Sequence, residues 1–238
     1  MIPALDEEGS IAAVVEGLRG RGVARILVAD NGSRDRTADV ARAAGARVVG
    51  APRRGYGAAC LAALAHVPDD ASAVVFCDAD GADDLDRLEL VVSPVLTGRV
   101  DLVIGSRTLG GADRGALTWP QRTGNLIASS LMAVLFRATV TDLGPFRCIS
   151  TEALARLGMR DLAFGWTAEM QTKALRLGMR VLEVPVTARA RTAGESKISG
   201  RVVPVVRAGW AILSTIVKYR LAPLDAHVRH ASEESRLS

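Results

Sequence analysis

A chain of 238 residues, 49% of them hydrophobic, can enclose the core of one large α/β domain, and with only 4% aromatics Ala, Val and Leu must fill most of it. A net charge of +4 and a pI near 9.3 are too mild to argue for a nucleic-acid partner. Cys60, Cys77 and Cys148 fit neither a disulfide framework nor a zinc site, no leader segment is visible, and the longest uncharged run, 123–136, has 14 residues against about 17–25 for a bilayer span, so a cytoplasmic chain with no integral membrane segment is expected.

Met1-Ile2-Pro3-Ala4 is the only segment that can supply a strand before a helix over about 10–18. It reads as clipped, with a start expected upstream. A strand follows over 24–29, and Ser33 is expected to cap a helix reaching about 44. Then come a strand at 46–49, a helix at 56–66, a strand at 73–77, a helix at 85–96 and a strand at 101–104. This βαβαβαβ order predicts a mostly parallel sheet with helices on both faces. A loop over 106–119, rich in Gly, Asp and Arg, leads to a helix at 120–136 with Pro120 in its first turn. A short strand near 146–149, helices at 151–157 and 167–177, a strand at 180–186, a loop at 187–200 and a last helix at 201–221 complete the order. No repeat or linker divides the chain, so one domain over 1–222 and a polar, disordered tail over 223–238 are expected.

Asp78-Ala79-Asp80 follows the apolar run 73–77, where a buried strand runs out into a loop. Two carboxylates at i and i+2 can converge on one hard cation, and such a cation bridges readily to phosphate oxygens. The ligand crevice of an open α/β sheet lies at the carboxyl ends of its strands. A solvated acidic loop is the alternative. Charge is segregated along the chain: 78–89 carries six acids and one base, and 187–222 carries seven bases and one acid. A metal-holding half and a phosphate- or membrane-facing half would look like this. His66 reads as a C-terminal helix cap and no His as a catalytic base.

Further loops at strand ends carry small or acidic residues: Ile2-Pro3-Ala4-Leu5-Asp6-Glu7-Glu8, Asp30-Asn31-Gly32-Ser33-Arg34-Asp35, Gly55-Tyr56-Gly57-Ala58 and Gly105-Ser106-Arg107. With Asp78-Ala79-Asp80-Gly81-Ala82-Asp83-Asp84, Thr141-Asp142-Leu143-Gly144-Pro145-Phe146-Arg147 and Glu183-Val184-Pro185-Val186, followed by Arg189, Arg191 and Gly194-Glu195-Ser196-Lys197, the ordered set resembles family 2 glycosyltransferases of the GT-A fold. Within that family the likeness is to the polyprenyl-phosphate sugar synthases. It departs at Asp6 and Asn31, which stand for Asn and Asp, and at Ala82, where many relatives have a Gln ligand to the metal; the membrane helices that some relatives carry after the catalytic domain have no counterpart.

The resemblance implies an inverting transfer of sugar from a nucleotide-diphosphate donor, UDP- or GDP-linked, with Mg²⁺ or Mn²⁺. Asp80 would bind the metal, Asp78 the metal or the ribose, and Asp30, Gly32 and Glu7 the nucleotide. Pro3, Ala4 and Leu5 would offer main-chain groups to the base and sugar, and Gly57 would let the backbone approach the ligand. Arg147 and Lys197 are candidates for holding a phosphate, Glu169 for orienting a sugar hydroxyl or acting as a base, and Asp142 for the base if the acceptor is a hydroxyl. A polyprenyl phosphate acceptor needs no base. The segment 187–200 is expected to act as a lid. The last helix, with Val206, Trp210, Leu213 and Val217 on one face, is expected to lie peripherally on the inner face of a membrane, to pack on the sheet or to meet a partner. A nucleotidyltransferase and a non-catalytic nucleotide-sugar-binding protein are the competing functions.

Overall fold

The computed structural model describes residues 1–191 and 202–222, and side chains at all of these but 202–207. Lys197, most of the expected lid, the side chain of Val206 and the tail lie outside the described residues. Strands β1 (Ile2–Ala4), β2 (Leu27–Asp30) and β3 (Arg47–Gly50) pair in parallel. Strands β4 (Ala73–Phe76), β5 (Leu102–Ser106), β6 (Arg147–Ser150) and β7 (Val181–Pro185) form a second ladder in the order β4-β6-β5-β7, with β6 antiparallel to both neighbours. Two main-chain bonds join the ladders: the Met1 amino group donates to the Val75 carbonyl at 2.7 Å, and the Cys77 N–H donates to the Met1 carbonyl at 3.2 Å. The sheet therefore reads β3-β2-β1-β4-β6-β5-β7, mostly parallel as expected. Its direction of growth switches between β1 and β4, the place where a crevice opens at the strand ends.

Alternation along the strands sorts the core onto two faces. Val28, Val103 and Cys148 meet α1 (Ile11–Gly20), α2 (Thr37–Ala43) and α4 (Leu88–Leu96) on one side. Ala29, Phe76, Ile104 and Ile149 meet α3 (Tyr56–Leu64), α7 (Thr151–Leu157) and α8 (Trp166–Arg176) on the other. A third layer, α6 (Trp119–Phe136) and α9 (Val202–Leu221), packs outside α8 through Ala128, Met132, Ala168 and Ile216. The fully buried Ile216 alone contributes about 1.5–3 kcal/mol by leaving water.

Three local expectations change. Ser33 does not cap a helix: α2 begins at Thr37, and the Ser33 hydroxyl bonds Asp30 instead. The loop after β5 opens with a short helix, α5 (Arg107–Gly110), capped by the Ser106 hydroxyl, which accepts from the Leu109 N–H at 3.2 Å. The stripe drawn along α9 is not one face: Leu213 packs partly into the third layer, whereas Trp210 and Val217 face water. The helix thus packs on α8 and not on the sheet itself, and still leaves an apolar flank. His66 is a helix cap as expected, with Nδ1 3.0 Å from the Ala62 carbonyl oxygen.

Candidate active site

The loops after β1, β2, β3 and β4 converge on a cavity of about 340 Å³. Pro3, Ala4, Leu5, Glu7, Asp78 and Asp80 line it, as the motifs predict. A larger cavity of about 790 Å³ lies elsewhere, beside Met1, Leu27 and Val74, and holds none of the predicted site residues.

The first two loops interlock through main-chain donors. The Asp6 N–H donates to the Ser33 hydroxyl at 2.9 Å and the Arg34 N–H to Asp6 Oδ1 at 2.7 Å. The Glu7 N–H donates to the Thr37 hydroxyl at 2.7 Å. Asp6 sits at φ 50°, a left-handed conformation in which Asp and Asn are the best tolerated residues after Gly, so an acid in the place of Asn keeps this turn. Asp30 receives the Ser33 N–H at 3.1 Å; Asn31, not Asp30 or Gly32, forms the cavity wall and accepts the Gly55 N–H at 2.8 Å.

In the loop after β4, Asp78 Oδ1 accepts from the Tyr56 hydroxyl at 3.0 Å, and Asp83 Oδ2 accepts the Asp78 N–H at 2.7 Å. Burial first, and then the charge of Asp80, push the Asp78 carboxyl up to about 6. Burial and the Asp78 charge raise Asp83 well above the usual carboxylate range. Asp80 is 6% exposed; its Oδ1 accepts the Ala82 N–H at 2.9 Å and its Oδ2 lies 2.9 Å from Arg191 Nη2. Among the described residues no group of three or more acidic, His or Cys ligands gathers. Two carboxylates on one loop nevertheless suit a hard cation that keeps its other positions for diphosphate oxygens and water, so the donor set fits Mg²⁺ or Mn²⁺.

Four predicted roles meet a different geometry. Arg147 is fully buried in β6, where Nε donates to the Gly144 carbonyl at 3.0 Å and Nη1 to the Thr167 carbonyl at 3.1 Å. It ties the segment before β6 to the first turn of α8 and does not line the cavity; burial lowers its pKa to about 10. Asp142 is equally buried and is clamped by Arg107, whose Nε and Nη2 donate to its two oxygens at 2.9 and 2.7 Å while the Arg107 N–H adds a third bond at 2.7 Å. Both oxygens of this carboxylate are thus already engaged. Glu169 is also fully buried, accepting the Arg160 and Asp161 N–H groups at 2.9 and 2.6 Å and pairing with Lys173 at 2.7 Å. It fixes the loop over 160–165 and does not face the cavity. Gly57 is shaped by that same loop: a Cβ there would stand 2.0 Å from the Asp161 carbonyl oxygen. Its smallness serves the packing of this loop.

Arg107 is the functional candidate missing from the predicted roles. Burial opposes its charge, and the bond to Asp142 overcomes this and raises its pKa; the charges of Asp78 and Asp83 act in the same direction. Its position directly after β5, in Gly105-Ser106-Arg107, was the available signal. The segment below it is held by Glu183, which accepts the Thr141 N–H at 3.0 Å, and by Asn125, which accepts the Leu143 N–H at 3.0 Å.

The family model for "Glycosyl transferase family 2" matches residues 1–158. The uncharacterized glycosyltransferase Mb0553 of Mycobacterium bovis is 38% identical over 202 residues, covering 84% of this chain and 88% of that protein. The dolichyl-phosphate hexose transferase of Haloferax volcanii is 32% identical over 196 residues, 80% of each chain. Among solved structures, glucosyl-3-phosphoglycerate synthase from Mycobacterium tuberculosis, in complex with Mn²⁺, UDP and glucosyl-3-phosphoglycerate, superposes with a TM-score of 0.73 at 25% identity, over 93% of this chain and 79% of that one. Sequence and fold agree with the loops converging on Asp78 and Asp80: the chain belongs to glycosyl transferase family 2 and is a glycosyltransferase of the GT-A fold.

Proposed function

We propose that the enzyme takes a sugar, with inversion, from a UDP- or GDP-linked donor and delivers it to a polyprenyl phosphate at the inner face of a membrane. Mg²⁺ or Mn²⁺ on Asp80 and Asp78 would neutralise the departing diphosphate, the main electrostatic need of this reaction. Main-chain groups of Pro3, Ala4 and Leu5 would hold the base and sugar. Glu7 and Asn31, which line the cavity, would read the nucleotide, with Asp30 holding the turn at Gly32 through Ser33.

One observation carries the choice of acceptor: both oxygens of Asp142 are committed to the Arg107 guanidinium. A hydroxyl acceptor must lose a proton and needs a base within reach. The two acids first in line for that task, Asp142 and Glu169, are both engaged by positive charges and N–H groups. A phosphate monoester brings an oxygen already ionised near neutral pH, since its second pKa is about 6, and needs a fixed cation. Arg107, oriented by Asp142, supplies that cation.

Relatives named for lipid phosphates support the same acceptor class: the dolichyl-phosphate hexose transferase, and an undecaprenyl-phosphate mannosyltransferase of Micrococcus luteus that is 29% identical over 55% of this chain. A water-soluble phosphorylated acid is the second reading, favoured by the likeness to the glucosyl-3-phosphoglycerate synthase structures. The test offers the purified protein radiolabelled UDP- and GDP-sugars with Mn²⁺ and either a polyprenyl phosphate or 3-phosphoglycerate. Label entering the organic phase, abolished by Asp80→Ala, is the expected result. Label entering only the water-soluble acid would replace the lipid by the second reading.

A further inference from the structure

Arg191 shares the wall of the central cavity with Asp78 and Asp80. Its Nη2 lies 2.9 Å from Asp80 Oδ2 and its Nη1 lies 3.7 Å from Glu7 Oε1. The guanidinium therefore ties the loop after β4 to the loop after β1, across the crevice that a diphosphate would enter. The Asp80 carboxylate is held from its other side by the Ala82 N–H on Oδ1 at 2.9 Å. The oxygen that Arg191 takes is thus a fixed one, and a cation arriving at Asp80 meets a positive charge already bound there.

We infer that Arg191 is a built-in placeholder for the metal: in the empty enzyme it sits on Asp80, and a divalent cation gains that carboxylate only by displacing it. This rests on the reading of Asp80 as a metal ligand. A magnesium-like ion approaches a carboxylate oxygen to about 2.0–2.1 Å. A guanidinium on the same oxygen then stands within a few ångströms of a double positive charge, and the two repel. Diphosphate relieves the conflict, because its negative charge accompanies the metal and offers the freed guanidinium a bidentate partner. Metal alone is therefore disfavoured and the metal–nucleotide pair is admitted together. The device selects for a diphosphate, since a cation without one leaves Arg191 with no new partner. It also keeps the buried acids neutralised between turnovers.

The measurement is Mn²⁺ binding to the full chain without nucleotide, read by the electron paramagnetic resonance of free Mn²⁺, alongside calorimetry of UDP and GDP in the presence of Mn²⁺. Arg191→Gln, a change at a partly exposed side chain, is expected to tighten binding of Mn²⁺ alone by about tenfold or more and to weaken binding of the metal–nucleotide pair. A residue that merely braced the loop would weaken both when removed. Arg54→Gln, which removes a positive charge from the same wall, is expected to leave Mn²⁺ binding nearly unchanged. Adding Asp80→Asn to Arg191→Gln should erase the gain. Unchanged or weaker Mn²⁺ binding in Arg191→Gln, with nucleotide binding still metal-dependent, would overturn the placeholder and leave the assignment of Asp80 standing. An equal gain from Arg54→Gln would also overturn it, by showing a field effect. Nucleotide binding in the wild type that ignores Mn²⁺ and Mg²⁺ altogether would overturn both.

Discussion

Asp78 holds its charge against burial and against Asp80, and so titrates near 6. An unfolded Asp titrates near 3.9, so the folded pKa is the higher one. The stability this group contributes is present below about pH 4 and is lost as pH rises through 6. A divalent cation needs the ionised form, so affinity for Mn²⁺ with nucleotide should weaken below pH 6, approaching about tenfold per pH unit. Tyr56→Phe removes a bond that favours the ionised carboxylate, so calorimetry across pH should find the midpoint moved upward. At Asp142 the prediction concerns position. Asp142→Ala would leave Arg107 unclamped and cost about 3 kcal/mol in denaturant unfolding, the low end for a broken buried pair because Arg107 keeps some contact with water. The milder Asp142→Asn should raise the KM for the acceptor more than that for the donor. That Asp78 and Asp80 share one wall of the cavity was legible in the sequence because both acids lie on one loop. The roles of Asp142, Glu169 and Arg147 were not, because what they do depends on partners brought by the fold: Arg107 lies 35 residues from Asp142, and the N–H groups that bind Glu169 belong to a loop with no pattern of its own.

The loop over 160–165 is the element whose role the sequence concealed most. Glu169 in α8 holds it from beneath, and the Gly57 and Ala58 N–H groups donate to its Ala163 and Leu162 carbonyls at 3.2 and 3.0 Å. It thus ties the start of α3, where Tyr56 faces Asp78, to α8. Gly57→Ala should destabilise the protein by about 1–3 kcal/mol through overpacking against the Asp161 carbonyl. Glu169→Gln should speed hydrogen exchange at the amides of Arg160 and Asp161 before it affects the rest of α8. If those amides exchange at the wild-type rate, the loop is held by something other than Glu169. Helices and strands fared better than this loop, since α7 matches its expected bounds and α3 begins where expected. Their apolar period and strand-end breakers are local signals, whereas a loop fastened by main-chain bonds leaves none.

At the scale of the molecule, α6 and α9 form a flank of one character. Residues 114–141 and 202–221 contain no acid, while Arg122, Arg137, Lys218 and Arg220 supply positive charge. Trp119 and Trp210 are 80% and 73% exposed. Arg220 fastens the two helices by donating from Nε to the Leu135 carbonyl at 3.3 Å. Among the described residues no helix is long and apolar enough to cross a bilayer. Exposed tryptophans among bases suit an anionic headgroup layer, where each base near the surface contributes about 1 kcal/mol. The protein should therefore sediment with phosphatidylserine vesicles at low salt, and Trp119→Glu with Trp210→Glu should leave it in the supernatant with its melting temperature unchanged. Retention of that double variant on the vesicles would place the contact elsewhere. The parallel half of the sheet was legible from its βα alternation; the placing of β6 was not, because an antiparallel insertion is decided by which edge is open and not by any motif. That insertion bears on how the chain is made. β4 and β5 are never direct neighbours: each pairs with β6, which leaves the ribosome about 70 residues after β4. Until then β4 presents an unpaired apolar edge, the kind of surface that recruits chaperones or a second nascent chain. Nascent chains halted before Arg147 should accordingly be digested readily by added protease, and those extended past Pro185 should resist it, so that the same antiparallel strand that brings Asp142 to Arg107 also sets the moment at which this enzyme becomes safe from aggregation.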